Sequence, residues 1–367
     1  MRGALPAELF ALEADELAGL ACEPECEARI VIQSGSDWTL RHGPFDEATF
    51  AALPETGWTL LVQDVDKFVP EVAEVIDLFG FVPTWRIDDI MVSYASDQGG
   101  VGPHSDAYDV FLIQARGKRR WRVSALDYTD ADLLPGLEQR ILARFETTDE
   151  WVLEPGDILY LPPGLAHWGI AEGECMTWSL GFRTPNRQEL AGDWFQYLVG
   201  MADETRLQDP RELPADSLAE LTEAVQAGAA RLLAELPGTD SEAFRSWLGC
   251  HLTEPKPQFQ VTPRDHPLRR DRLLDWIAQG GGLRRHPFAR LAWRRLHEGG
   301  VELFCQGEAQ MLPDALQPLV KWLCERRRLD NATLARFARA TDPPDLLLQL
   351  VNEGLLEADT TEDDPWN

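Results

Sequence analysis

Between residues 84 and 184 the chain consists of short β-rich runs, WRIDDIMVSYA, DVFLIQA, RRWRVSA, WVLEPGDILYLP and CMTWSLGF, separated by Gly, Pro and Asp turns. Strands this closely spaced fold as a sandwich or barrel. The acidic stretch 129–145 reads as a short helix among them. Residues 1–80 mix helix (12–22), strand (58–63, WTLLVQ) and a second helix (70–80), with proline in its first turn and glycine at its end. After Pro185 the strand texture stops. Residues 187–201, 217–236 and 241–252 are helical by period. In the second of these, Ser217 and Glu220 form an S-x-x-E capping box, and Leu218, Leu221, Val225, Ala229, Leu232 and Leu236 share one face. A Pro-rich linker (254–263) leads to a helix (270–279), strand-like pieces (290–296 and 301–305), helices (313–328 and 331–340) and a last helix and strand within 344–358. Small helices around a hairpin suggest a winged helix. The expected class is α+β, in segments 1–186, 187–253 and 264–367.

A length of 367 residues suits two or three domains. The net charge of −28 repels nucleic acid and anionic membranes and attracts basic partners, unless it serves only solubility or salt adaptation. Six scattered cysteines, of which only Cys22 and Cys26 are close, complete no zinc site and suit a reducing compartment. Glu8, Glu13, Asp15 and Glu16 interrupt the first apolar stretch, so no signal peptide is expected. No run of 18 apolar residues exists to span a membrane. These features predict a cytoplasmic protein without membrane association.

Two phrases carry chemistry. GGVGPHSDAYDVFLIQARGKRRWRV places His104 and Asp106 two residues apart, a spacing that puts both side chains on one face of a strand. PGDILYLPPGLAHWG delivers His167 after a PPG turn. Two imidazoles and one carboxylate form the facial triad of non-haem Fe(II) oxygenases, with three positions left open. Two of these suit the 2-oxo and carboxylate oxygens of a cosubstrate, and the third suits O2. An H-x-D alone is weak, but G-x5-P-x-G-x2-H, from Gly156 to His167, aims a histidine into a barrel. Arg119 adds a cation 15 residues after His104.

With these residues the chain resembles the JmjC family of 2-oxoglutarate oxygenases, whose fold is a double-stranded β-helix. The resemblance implies that Arg119 binds the distal carboxylate of 2-oxoglutarate, since its planar fork can pair bidentately. Strand alternation groups Arg119 with Trp121 and Val123, and Arg120 with the more solvated Arg122. WRIDDIMVSY, GGVGPHSDAYDVFLIQ, GKRRWRV, EPGDILYLPPG and SLGFRTPN are similar to the bacterial ribosomal oxygenases, which hydroxylate an arginine of the large-subunit ribosomal protein numbered sixteen. The likeness is dense over 58–187, adequate over 14–57 and only architectural beyond 190. It implies Fe(II), 2-oxoglutarate and O2, a homodimer through the helical region, and a C-terminal winged helix. It also gives Ser93 two readings, lining of the 2-oxoglutarate pocket or plain sheet filling. The family usually carries a helix and a W-x-x-R-P strand ahead of the point where MRGALP begins. Either the start is assigned too late or the segment is dispensable here, and if it is truly absent a flank of the barrel sheet is expected to lie uncovered.

A substrate arginine entering the pocket must keep its guanidinium paired. Asp97, in the SDQGG loop, is the first candidate. Asp88, Asp89 and Asp109 are further candidates, with Tyr108 as a stacking face. Nine arginines against four acids over 262–298 make either an RNA-binding patch or partners for the acidic remainder, and direct nucleic-acid binding is not expected. His42, His251, His266, His286 and His297 lack ligand-like spacing. A cupin would carry H-x-H with a Glu soon after, which Ala107, Tyr108 and Asp109 do not supply. The alternatives are a JmjC histidyl hydroxylase or lysine demethylase, or a non-enzymatic acidic chaperone for a basic ribosomal protein, a role that has no need of iron ligands.

Overall fold

The computed structural model describes residues 1–208, 219–338, 343–360 and 365–366. It divides into two compact units. One comprises Met1–Thr184, Pro257–Phe288 and Glu325–Asn367, and the other Pro185–Lys256 and Ala289–Cys324.

The first unit is built on strands β1 (Ala28–Ser34), β2 (Asp37–His42), β3 (Trp58–Val62), β4 (Ile87–Ala95), β5 (Asp109–Ser124), β6 (Asp149–Leu153), β7 (Ile158–Leu161) and β8 (Ala166–Phe182). Their order is β2-β1-β3-β4-β8-β5-β6, with β7 also on β5, and every pairing is antiparallel. DVFLIQA and RRWRVSA, separate runs in the sequence, are one 16-residue strand, β5. It pairs with the 17-residue β8 from Asp109↔Phe182 to Ser124↔Ala166. The register shifts between Gln114 and Lys118, around the left-handed Gly117 (φ 61°). Bulges bend a strand and change which residues face in. Val110 and Leu112, of even number, therefore join one apolar cluster with Trp121 and Val123, of odd number. The opposite face carries the main core, where Ile30, Leu60, Ile90, Val92, Ile113, Trp178 and Phe182 pack with Leu17, Val72, Ile76 and Phe79 from the flanking helical segments.

Several local expectations change. The 70–80 helix splits into α-helix Pro70–Glu74 and 3-10 turn Val75–Phe79. Over 129–145 there is only the 3-10 turn Asp130–Asp132. Pro135 and the left-handed Gly136 (φ 77°) stop a helix there, and Leu133 bridges Leu142 instead. The first residues line the start of β7: Met1 exchanges backbone bonds with Ile158, Ala4 and Leu5 donate to the Gly156 carbonyl, and Arg2 pairs with Asp157.

In the second unit, helix Arg187–Met201 starts at Asn186, whose side chain accepts from Gln188 and Glu189 N–H. Helix Glu242–Thr253 starts at Ser241. The helix expected from 217 runs Glu223–Ala234 and is capped by Thr222, with Ser217 outside the described residues. It buries none of its residues, and Leu233 is 69% exposed, as is the preceding Leu221 at 74%. A three-stranded sheet (Leu291–Arg295, Val301–Cys305, Glu308–Leu312) completes the unit. The C-terminal part of the first unit carries helices Arg270–Ala278 and Asn331–Phe337 and a small sheet centred on Leu283–Arg285.

The Gly117 bulge yields a test. A Cβ there would lie 2.1 Å from the Glu174 carbonyl oxygen, on a backbone that L side chains rarely adopt. Gly117→Ala is expected to lower stability by about 2–3 kcal/mol, measured by urea denaturation.

Candidate active site

His104 and Asp106 do not lie in a strand. They sit in the loop between β4 and β5, where Pro103 lacks an N–H and Gly102 is left-handed (φ 81°). A single bridge to β8 holds the loop: His104 N–H donates to His167 O at 3.0 Å, and His167 N–H donates to His104 O at 2.7 Å. The two rings lie 4.3 Å apart. Each Nδ1 meets a backbone carbonyl two residues earlier, Gly102 O and Leu165 O, both at 3.0 Å. A carbonyl only accepts, so each Nδ1 carries the proton and each Nε2 keeps a lone pair for a metal. Asp106 Oδ2 lies 3.6 Å from His167 Nε2, and one donor atom from each of the three residues falls within 4.8 Å of the others. Burial, reinforced by His104, pushes His167 from 6.5 down to about 3. It is therefore neutral at ordinary pH, as a metal ligand must be. Two imidazoles and a carboxylate in this arrangement fit Fe(II) with positions left open.

The bulge turns Arg119 inward. Its side chain is buried, with Nη1 donating to Ser93 Oγ at 3.0 Å and Thr177 Oγ1 at 3.4 Å. The guanidinium lies 5.2 Å from the Trp121 ring centre, and that ring lies 5.9 Å from His167. Arg119 Nε is buried without a hydrogen-bond partner, and among the described residues no carboxylate forms an ion pair with this guanidinium. Burial pulls Arg119 below its ordinary value. An isolated buried cation is costly, so the pocket suits an anion with one end here and the other at the triad, as 2-oxoglutarate has. Arg120, by contrast, pairs on the surface with Glu150 and Glu172. Thr177 was missed in the sequence. Its signal was a polar residue on the inward parity of MTWSLGF, and its hydroxyl ties Arg119 to Gln114.

The expected substrate carboxylates separate. Asp97 does not join the site: its carboxylate accepts from Gly173 N–H at 2.7 Å. Gly173 lies six residues past His167, roughly 20 Å along extended strand. Asp109 is held by Arg86 and Tyr160. Burial would raise its carboxyl, but those hydrogen bonds outweigh it and hold the group low. Tyr108 stays near the triad, its phenol pushed up by burial and by Asp106, Asp89 and Asp88. Its ring and the buried Asp89 carboxylate both flank the space above Gly181, 3.6 and 3.7 Å from where a Cβ would stand. Arg183 lies 5.9 Å from the Tyr108 ring centre and 3.6 Å from Asp88.

Residues 74–190 match the JmjC domain family, and 231–357 match the ROXA-like winged helix. The chain is 35% identical over 349 residues to the ribosomal protein uL16 3-hydroxylase of Escherichia coli K12, covering 93% of this chain and 88% of that protein. The chain belongs to the family of JmjC ribosomal oxygenases. The X-ray structure of E. coli ycfD superposes with a TM-score of 0.82 at 31% identity, covering 95% of this chain and 91% of that one. The E. coli ribosomal oxygenase YcfD in complex with cobalt and 2-oxoglutarate gives a TM-score of 0.78 at 31% identity over the same shares. A barrel-like JmjC core, a helical region and a C-terminal winged helix are thus the architecture of this oxygenase.

Its buried histidine has a pH signature. Below pH 6.5 the unfolded chain takes up a proton that folded His167 refuses until about 3. The metal-free oxygenase is therefore expected to lose stability as pH falls from 6.5 towards 3, with no contribution from His167 above 6.5. Urea midpoints at pH 7.5 and 5 should drop more for the native protein than for His167→Gln.

Proposed function

We propose that this oxygenase uses Fe(II), O2 and 2-oxoglutarate to hydroxylate an arginine side chain of the large-subunit ribosomal protein uL16, numbered sixteen, at the 3-position that the name of its E. coli relative specifies. The observation that carries the reading is the buried, acid-free Arg119 on the same wall as the His104–Asp106–His167 group. In this assignment the three triad residues hold the iron, and Arg119, seated on Ser93 and Thr177, holds the far carboxylate of 2-oxoglutarate. Iron with these cosubstrates supplies an oxidant able to turn an unactivated C–H into C–OH, while 2-oxoglutarate becomes succinate and CO2.

The chain's own residues do the rest. The carbonyls of Gly102 and Leu165 fix the imidazole tautomers. Asp89, beside Tyr108 and the open face of Gly181, is placed to accept a substrate guanidinium, whose burial requires a partner. Tyr108 offers the flat face. A net charge of −28 draws in a basic client, and the reading places the enzyme in the cytoplasm beside it. No helix among the described residues is long and apolar enough to cross a membrane.

The test incubates enzyme, Fe(II), 2-oxoglutarate and a uL16 peptide, with mass spectrometry of the product. One added oxygen on arginine is expected, and its loss in His104→Ala, Asp106→Ala or His167→Ala. Arg119→Ala should weaken 2-oxoglutarate use by about 2–3 kcal/mol, and Arg119→Lys by less. Asp89→Asn should weaken peptide turnover far more than 2-oxoglutarate binding. Oxygen on histidine, or loss of a lysine methyl group, would reassign the substrate while leaving the oxygenase chemistry in place.

Assembly follows the same reading, with 1–186 as oxygenase, 187–253 as dimerisation region and 264–367 as winged helix. Helix Glu223–Ala234 buries none of its residues within the chain, and Phe195 and Val199 on Arg187–Met201 are 63% and 74% exposed. These apolar faces suit a second copy. Light scattering is expected to give a dimer at micromolar concentration, and Leu221→Glu with Leu233→Glu a monomer. The winged helix is assigned a packing role, since Arg269, Arg270, Arg284, Arg294 and Arg328 each pair with acids.

A further inference from the structure

We infer that Gly169 is a positioning residue for the cosubstrate. Its missing side chain leaves room for the Trp121 indole and Arg119 guanidinium, which set how long a dicarboxylate the pocket accepts. The inference rests on Arg119 being the carboxylate clamp.

Gly169 follows His167 by two residues on β8 and faces Trp121 directly across the ladder, with Arg119 paired two residues further on to Ala171. A Cβ at 169 would stand 2.7 Å from two Trp121 ring carbons and 2.8 Å from Arg119 Nε. Gly169 is not among the positive-φ glycines, so its backbone would admit alanine, and the requirement is for space. Nor can the strand back away. Behind it, the loop before His104 is bonded to β8 by Gln98 N–H to Ala171 O at 3.0 Å and Ala171 N–H to Gly99 O at 2.9 Å. Gly100 packs so closely there that a Cβ on it would lie 2.5 Å from Gly169 O. A methyl group at 169 must therefore displace the indole and the guanidinium. Trp121 lies between Arg119 and His167, so moving it changes the span between the clamp and the triad.

The test titrates anaerobic Fe(II)-loaded enzyme with 2-oxoglutarate, following the metal-to-cosubstrate charge-transfer absorbance, and measures iron binding separately. Gly169→Ala is expected to raise the 2-oxoglutarate Kd at least about tenfold, with iron affinity held within about twofold. Turnover should show a raised KM for 2-oxoglutarate with kcat largely kept. Adding Trp121→Phe, whose smaller ring vacates the contested space, should restore most of the binding. Unchanged 2-oxoglutarate binding in Gly169→Ala, an equal loss of iron, or a folded double variant that still binds weakly would each overturn the inference. Arg119→Gln in the same titration separates the two claims. If it binds 2-oxoglutarate normally, the clamp assignment fails. If it binds weakly while Gly169→Ala does not, only the role of Gly169 fails.

Discussion

The ladder between β5 and β8 is the constraint on which the rest depends. These two strands pair along almost their whole length, and the remaining strands of the sheet attach to one or the other or continue outward from β4. Because the ladder shifts register around Gly117, a single strand presents Val110 and Leu112 to the interior in one half and Arg119, Trp121 and Val123 in the other. An unbroken alternation would have sent Arg119 outwards with Arg120's ion-pairing neighbours. One residue of bulge thus converts a surface cation into a buried one.

A buried cation without an ion-pairing acid and a histidine kept neutral by burial, Arg119 and His167, are each unfavourable in an otherwise apolar interior. They persist because rigid backbone surrounds them. The reciprocal His104–His167 bridge holds both rings, backbone carbonyls hold their tautomers, and Ser93 and Thr177 hold the guanidinium. Such a pocket is prepared for a metal at one end and a carboxylate at the other, where the buried Arg119 meets little competing solvent. The acids show different engagements. Asp97 accepts from Gly173 N–H away from the site and Asp109 is held by Arg86 and Tyr160, while Asp89, whose Oδ2 accepts from Asp64 N–H, keeps its Oδ1 beside Tyr108 and Gly181.

Much of this was legible in the residues themselves. Alternation and turn signals marked the β-rich region, the H-x-D and G-x5-P-x-G-x2-H phrases marked the triad, and the helical periods marked 187–201 and 241–252. These are local patterns, set by side-chain spacing within one element. The misreadings were also local in origin. The acidic stretch 129–145 reads as a helix despite Pro135 and Gly136 within it, and Ser217, outside the described residues, reads as the cap of a helix whose described part is capped by Thr222. Asp97 was favoured for its place in the chain, near His104, whereas its carboxylate accepts from Gly173 N–H in β8.

By itself, then, the sequence determined which residues carry the chemistry: two histidines, one aspartate and one arginine at spacings a barrel can gather. Only the tertiary structure decided which groups share the pocket with them. Thr177 under Arg119, Asp89 beside Tyr108 and the empty space at Gly169 all arise from cross-strand pairs between β4, β5 and β8, and register across strands distant in sequence is set by bulges and packing that no local pattern encodes.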